Sequence, residues 1–215
     1  MAERGYKVSR AKAQVVETKV TYLGIQITHG SRRLSSDQVQ RILQLPSPMT
    51  RKQLQAFLGL TGYCRIWITN YGIIAQPLYE SLKGWDDSIP MMWEIPQKRA
   101  EATLKQALTQ APALRMPDSE KALQLYVHEK EGIDLGALTQ RLGPEPKPVP
   151  YLSKRLDPTA QGWPPCLQIA AIAVPIEDAL KLSSGGKLAI FTSCQVKQLN
   201  DRGHLWLSDQ RTLRY

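Results

Sequence analysis

The sequence predicts a mixed α+β / α/β chain in two parts, a β-hairpin with a small helical bundle followed by a β-β-β-α-β module. Three observations carry that expectation. Apolar alternation over residues 20–28 reads as strand, Ser/Thr-x-x-Gln caps open helical stripes at Ser35 and Thr50, and strand-like runs bounded by Gly and Pro dominate beyond residue 120.

In the first part, Thr21, Leu23, Ile25 and Ile27 share one strand face and Tyr22, Gly24 and Gln26 the other, ahead of a His29-Gly30-Ser31 turn. Ser35 and Gln38 have capping-box spacing, Val39, Ile42 and Leu43 follow as an apolar stripe, and Pro46 stops the helix after Leu45. Thr50 and Gln53 repeat the cap before Leu54, Phe57, Leu58 and Thr61, predicting a second helix to about Ile66. Gly59 and Gly62 lie inside it. Each costs roughly 0.5–1 kcal/mol relative to Ala, so a close approach by another backbone or a ligand is expected there. A third helix is predicted over residues 73–82, and a linker over residues 84–92.

In the second part, residues 97–110 are helical by composition, and Ala111-Pro112 ends them. Strands are predicted over residues 122–128, 136–142 and 149–156, separated by Gly132 and by Gly143-Pro144-Glu145-Pro146. A helix over residues 165–182 then precedes a strand over residues 187–192, an order that needs a crossover.

Composition narrows the function. No run approaches the roughly 20 apolar residues of a membrane span, and the Met-Ala-Glu-Arg-Gly-Tyr start has no secretory apolar region. The expected location is intracellular, cytoplasmic or nuclear, with no membrane partner. Cys64, Cys166 and Cys194 are widely spaced without a CxxC pair, against a disulfide framework or zinc site. The net charge of +9 is uneven: residues 1–83 hold 12 Lys and Arg against 4 Asp and Glu, and the rest is nearly neutral. Clustered positive charge is the footprint of a polyanion binder, although a solvated basic surface fits it equally well.

Six blocks in order then resemble the reverse transcriptases of gammaretroviruses and related endogenous retroviruses. They are Val20-Thr21-Tyr22-Leu23-Gly24, residues 51–68, Gln106-Ala107-Leu108 with Ala111-Pro112-Ala113-Leu114, Leu138-Thr139-Gln140, residues 151–158, and residues 162–167. The resemblance covers nearly the whole chain. It implies that residues 1–33 are the end of the palm with its primer-grip hairpin, 34–83 the thumb, and 93–215 an incomplete RNase H-like connection domain. The family's polymerase carboxylates and its ribonuclease H metal ligands would then lie outside this chain. No cofactor is expected within it, while the parent enzyme would use Mg.

On the same footing, Tyr22, Leu23, Gly24 and Ile25 match the primer grip, with Leu23 and Ile25 expected to anchor the strand from below. Gln55, Gly59 and Tyr63, at i, i+4 and i+8, match the thumb's minor-groove track. Taken alone, that helix face would read as a helix-packing notch. Arg51, Lys52 and Arg65 are candidate phosphate partners. The implied partner is an RNA–DNA or DNA duplex, with other Pol domains or subunits as further partners.

His128 stands where active ribonuclease H-like relatives carry a metal-binding Asp, and Glu129, Asp134 and Asp157 lack two-metal spacing. Pro175 interrupts an apolar helical run, at a cost of about 3 kcal/mol, and suggests relaxed selection. Trp67, Trp93, Trp163 and Trp206 read as core or interface anchors. The leading expectation is a non-catalytic fragment that binds primer–template duplex. The alternatives are an excerpt of an active reverse transcriptase and ribonuclease H, and a protein-interaction scaffold.

Overall fold

The computed structural model describes residues 16–83, 93–156, 179, 182 and 187–192. Strands β1 (Lys19–Tyr22), β2 (Ile25–Thr28) and β3 (Ser31–Leu34) form an antiparallel meander. The single strand expected over residues 20–28 is therefore two. Leu23 (φ +49°) and Gly24 (φ +78°) form the turn between them, and consecutive positive φ values give a turn whose twist suits a hairpin. The alternation restarts after the turn, which puts Leu23 at the tip, 67% exposed, instead of beneath the strand. The expected turn at His29 and Gly30 lies between paired Thr28 and Ser31.

A side chain at Gly24 would be strained by its φ and would bring a Cβ to 2.8 Å from Gln38 Oε1. Gly24→Ala is expected to cost about 1–2 kcal/mol, read as a lower urea midpoint at constant m-value. An unchanged midpoint would rule out this turn.

Helix α1 (Ser36–Leu43) begins with Ser35 Oγ accepting the Gln38 N–H, and α2 (Arg51–Tyr63) with a complete capping box between Thr50 and Gln53. Helix α2 ends at Tyr63, short of Ile66, because its last turn tightens into a 3-10 helix, Arg65–Trp67. Helix α3 (Tyr71–Ser81) starts two residues before expectation and accommodates Pro77. Helix α4 (Ile95–Thr109) carries Pro96 in its first turn, where no intrahelical N–H bond is lost.

Ile42, Leu54, Phe57, Trp67, Leu78, Leu104, Leu108 and Leu114 are buried in one core. This packing places α4 and the short strand β4 (Leu114–Arg115), which pairs with β3, in the bundle. The boundary expected at residue 93 instead separates them from it. The reason is the stripe Ala100, Leu104 and Leu108, at i, i+4 and i+8, which faces the bundle core. Beside it, buried Glu101 is satisfied by Lys105 Nζ at 2.8 Å and the Ser47 hydroxyl at 2.8 Å. Lys105 also donates to the Leu45 carbonyl, so α4 is tied to the α1–α2 connection.

The second sheet contains β5 (Leu123–Lys130), β6 (Ile133–Arg141), β7 (Pro146–Arg155) and β8 (Leu188–Thr192) in the order β7-β6-β5-β8. β8 runs parallel to β5, which requires the expected crossover. Helical Ala179 and Leu182 pack against its core of Leu123, Leu125, Val127, Leu138 and Val149. The linker, Pro175, Asp157, Trp163, Trp206, Cys166, Cys194 and the block over residues 162–167 lie outside the described residues. Among those described, no helix is long and apolar enough to cross a membrane.

The bundle meets the second sheet where α3 begins. The Gly72 N–H donates to Ser153 Oγ at 2.7 Å. A Cβ at Gly72 would overlap that oxygen and lie 2.9 Å from Ile133 Cγ2, so only glycine permits the approach.

Candidate nucleic-acid interface

Arg51, Gln55, Gly59 and Tyr63 form an i, i+4 row along α2, and Leu54, Phe57, Leu58 and Thr61 occupy the buried face. Gln55, Gly59 and Tyr63 are exposed, while Arg51 is half-buried; Lys52, one position round, is exposed. No atom outside the local helix lies within 4 Å of where a Gly59 Cβ would sit, so this glycine is not a packing notch. A Cβ at Gly62 would meet the Tyr71 hydroxyl at 3.4 Å, an ordinary van der Waals contact, so the packing there does not demand glycine either. Neither glycine makes the close backbone approach expected of the pair: Gly59 is open, and Gly62 meets only tyrosine hydroxyls at ordinary contact distance.

The Tyr63 hydroxyl donates to the Leu23 carbonyl at 3.0 Å, joining the end of the row to the hairpin tip. The Ser35 N–H donates to the Gly24 carbonyl at 2.9 Å and holds the same turn from the other side. Tyr22 and Leu23 are exposed there, whereas Ile25 packs on the bundle core. Of the two residues expected to anchor the hairpin, only Ile25 does so.

Gln38 is the positioning residue that sequence reasoning missed. Its spacing from Ser35 suggested a reciprocal cap, but its side chain turns toward Gly24 and hydrogen-bonds Cys64. Burial pushes the Cys64 thiol up to about 11 against the opposing effect of that bond, so the thiol stays protonated. Tyr71, buried under α2, contacts the Thr61 hydroxyl at 3.3 Å and the Tyr79 hydroxyl at 3.5 Å. Burial raises its pKa, keeping it neutral as a brace between α2 and α3.

Arg65 is exposed but does not extend the row along α2. It opens the 3-10 helix and lines a cleft formed with α3 and β7. On the second sheet, His128 is exposed. Asp134 is 1% exposed, and its Oδ1 has no partner. Burial, and secondarily the charge of Glu129, push its carboxyl up to about 7. Among the described residues, no group of three or more His, Cys, Asp or Glu is placed to hold a metal ion.

No family model matches the chain. The Gag-Pol polyprotein of avian reticuloendotheliosis virus is 46% identical over 217 residues, covering 100% of this chain and 19% of that protein. The Pol polyprotein of feline endogenous virus ECE1 is 41% identical over 220 residues, covering 100% of this chain and 20% of that protein. The chain thus spans about a fifth of the length of these curated relatives. Foamy viral protease-reverse transcriptase in complex with an RNA/DNA hybrid superposes with a TM-score of 0.77 at 24% identity, over 95% of this chain and 28% of that one. A dRH form in complex with double-stranded DNA gives 0.77 at 24% identity, over 91% and 35% respectively. At that identity the likeness establishes the fold.

Proposed function

The chain belongs to the retroviral Pol polyproteins, in their reverse transcriptase segment, and from that premise we propose that it grips a primer–template duplex without supplying a catalytic centre. The supporting observation is the exposed Gln55/Gly59/Tyr63 row joined to the hairpin tip by the Tyr63–Leu23 hydrogen bond. An amide at Gln55 suits the degenerate acceptors of a minor groove, Gly59 lets the groove edge approach the helix axis, and the Tyr63 ring can pack on a sugar or base edge. Such contacts read duplex shape in preference to sequence. Arg51 and Lys52 supply charge near the start of the same row, and Tyr22 to Ile25 would meet the primer backbone. The polymerase and ribonuclease H chemistry of the family, with its Mg ions, is proposed to reside outside these residues.

The test is the affinity of the chain for an RNA–DNA hybrid across a salt series. Affinity is expected to fall steeply with salt, and Gln55→Ala and Tyr63→Ala are each expected to weaken binding several-fold. Tyr63→Phe retains the ring but removes the tie to Leu23, separating groove contact from hairpin positioning. A flat salt response, with alanine variants indistinguishable from the parent, would favour a protein-interaction scaffold instead.

A further inference from the structure

Edge strand β7, α3 and the 3-10 helix enclose a cleft of about 550 Å³, a volume typical of ligand sites. Arg65, Lys83, Lys154 and Arg155 line it, and no carboxylate does. Among the described residues, only Arg155 of these four has an acidic partner, Glu80 at 3.8 Å, and that pair is half-exposed. Four cations gathered around one concavity repel one another and create a field that concentrates anions. The start of α3 adds to it. Tyr71 and Gly72 are its first two residues and line the cleft, while Asn70 makes no side-chain capping bond. The positive end of the helix dipole therefore faces the same space. Ser153 Oγ accepts the Gly72 N–H, which leaves the hydroxyl proton available to donate into the cleft.

The cleft reaches α2 at Gly62. Gly62, next to Tyr63, lies against the Tyr71 and Tyr79 hydroxyls, and both tyrosines line the cleft. We propose that the cleft seats a phosphodiester phosphate of the same duplex, with Lys83 and Lys154 as its principal charge partners and Ser153 as a hydroxyl donor. This inference rests on the proposal that the chain binds a duplex and extends the contact to the second sheet. A phosphate bound there carries no base information and instead fixes the position of the duplex along the protein.

The experiment uses the full chain and an RNA–DNA hybrid, titrated from low to high salt. Lys83→Ala/Lys154→Ala is compared with Lys98→Ala/Arg99→Ala, which removes two exposed charges from α4 and none from the cleft. The cleft variant is expected to bind several-fold more weakly and to flatten the log–log salt slope by about 0.9 for each phosphate it no longer neutralises. The α4 variant should weaken much less. Lys154→Glu should weaken binding beyond Lys154→Ala, and matching thermal unfolding curves would show that the variants remain folded.

If the cleft and α4 variants behave alike while Gln55→Ala still weakens binding, the cleft inference is overturned and the α2 grip stands. If the cleft variant alone weakens binding while Gln55→Ala and Tyr63→Ala are silent, the cleft is supported and the α2 grip fails. Absence of any hybrid binding by the parent chain overturns both.

Discussion

Replacing Asp134 by asparagine is expected to stabilise the chain by about 2–4 kcal/mol at pH 8 and to change it little at pH 4. The side chain is almost fully enclosed, one carboxyl oxygen lacks a partner, and the carboxyl is raised to about 7. A raised carboxyl binds its proton more tightly in the folded state than in the unfolded chain. Between the ordinary Asp value and about 7, the folded state therefore holds a proton that the unfolded state has released. Stability contributed by the protonated form is complete at low pH, declines as pH rises through this window, and is absent above it. Asparagine cannot ionise, so the variant lacks this component. Urea unfolding of both proteins at pH 4, 5.5, 7 and 8 isolates it by difference. A constant difference across the series would show that Asp134 is not enclosed in the folded chain.

The second large effect is expected at Leu104, which is fully buried in the bundle core on α4. Leu104→Ala should cost about 2–5 kcal/mol, from the transfer energy forgone and the cavity left behind. Domains are typically stable by only about 5–15 kcal/mol, so this cost is large. Unfolding followed by the Trp67 signal, taken as the difference from a Trp67→Phe background because the chain has five tryptophans, should shift to lower denaturant, since Trp67 belongs to the same core. An unshifted Trp67 transition would return α4 to the second module.

Much of the local structure was legible because its causes are local. Ser35 and Thr50 each cap a helix, as their spacing indicated, and the Gly and Pro punctuation separated the first three strands of the second sheet. The errors arose where distant contacts decide. Nothing in residues 20–28 alone marks Leu23 as a turn residue, since a leucine at positive φ is unusual; the turn is held by Ser35 and Tyr63 from elsewhere in the chain. Strand β3 carries Arg32 and Arg33 where alternation would favour apolar residues, and β4 is two residues long, so neither displays a strand period. The placement of α4 depended on which core its stripe met, and periodicity does not encode that.

The candidate interface was legible as a row of side chains but not as a connected surface. Spacing alone aligned Gln55, Gly59 and Tyr63, while the bond to Leu23 spans 40 positions and the one to Ser153 from Gly72 spans 81. Arg65 lies only two residues beyond Tyr63, yet the turn into the 3-10 helix sends it to another surface.

The contact at Gly72 has a consequence for association entropy. It sets α3 directly against β7, so the row on α2 and the cleft beside β7 are held at a fixed separation before any duplex arrives. If both proposed surfaces engage one duplex, the second contact would form as an intramolecular event, at an effective concentration set by this rigid spacing. On the proposed reading, the missing side chain of one glycine would make the two surfaces a bivalent pair.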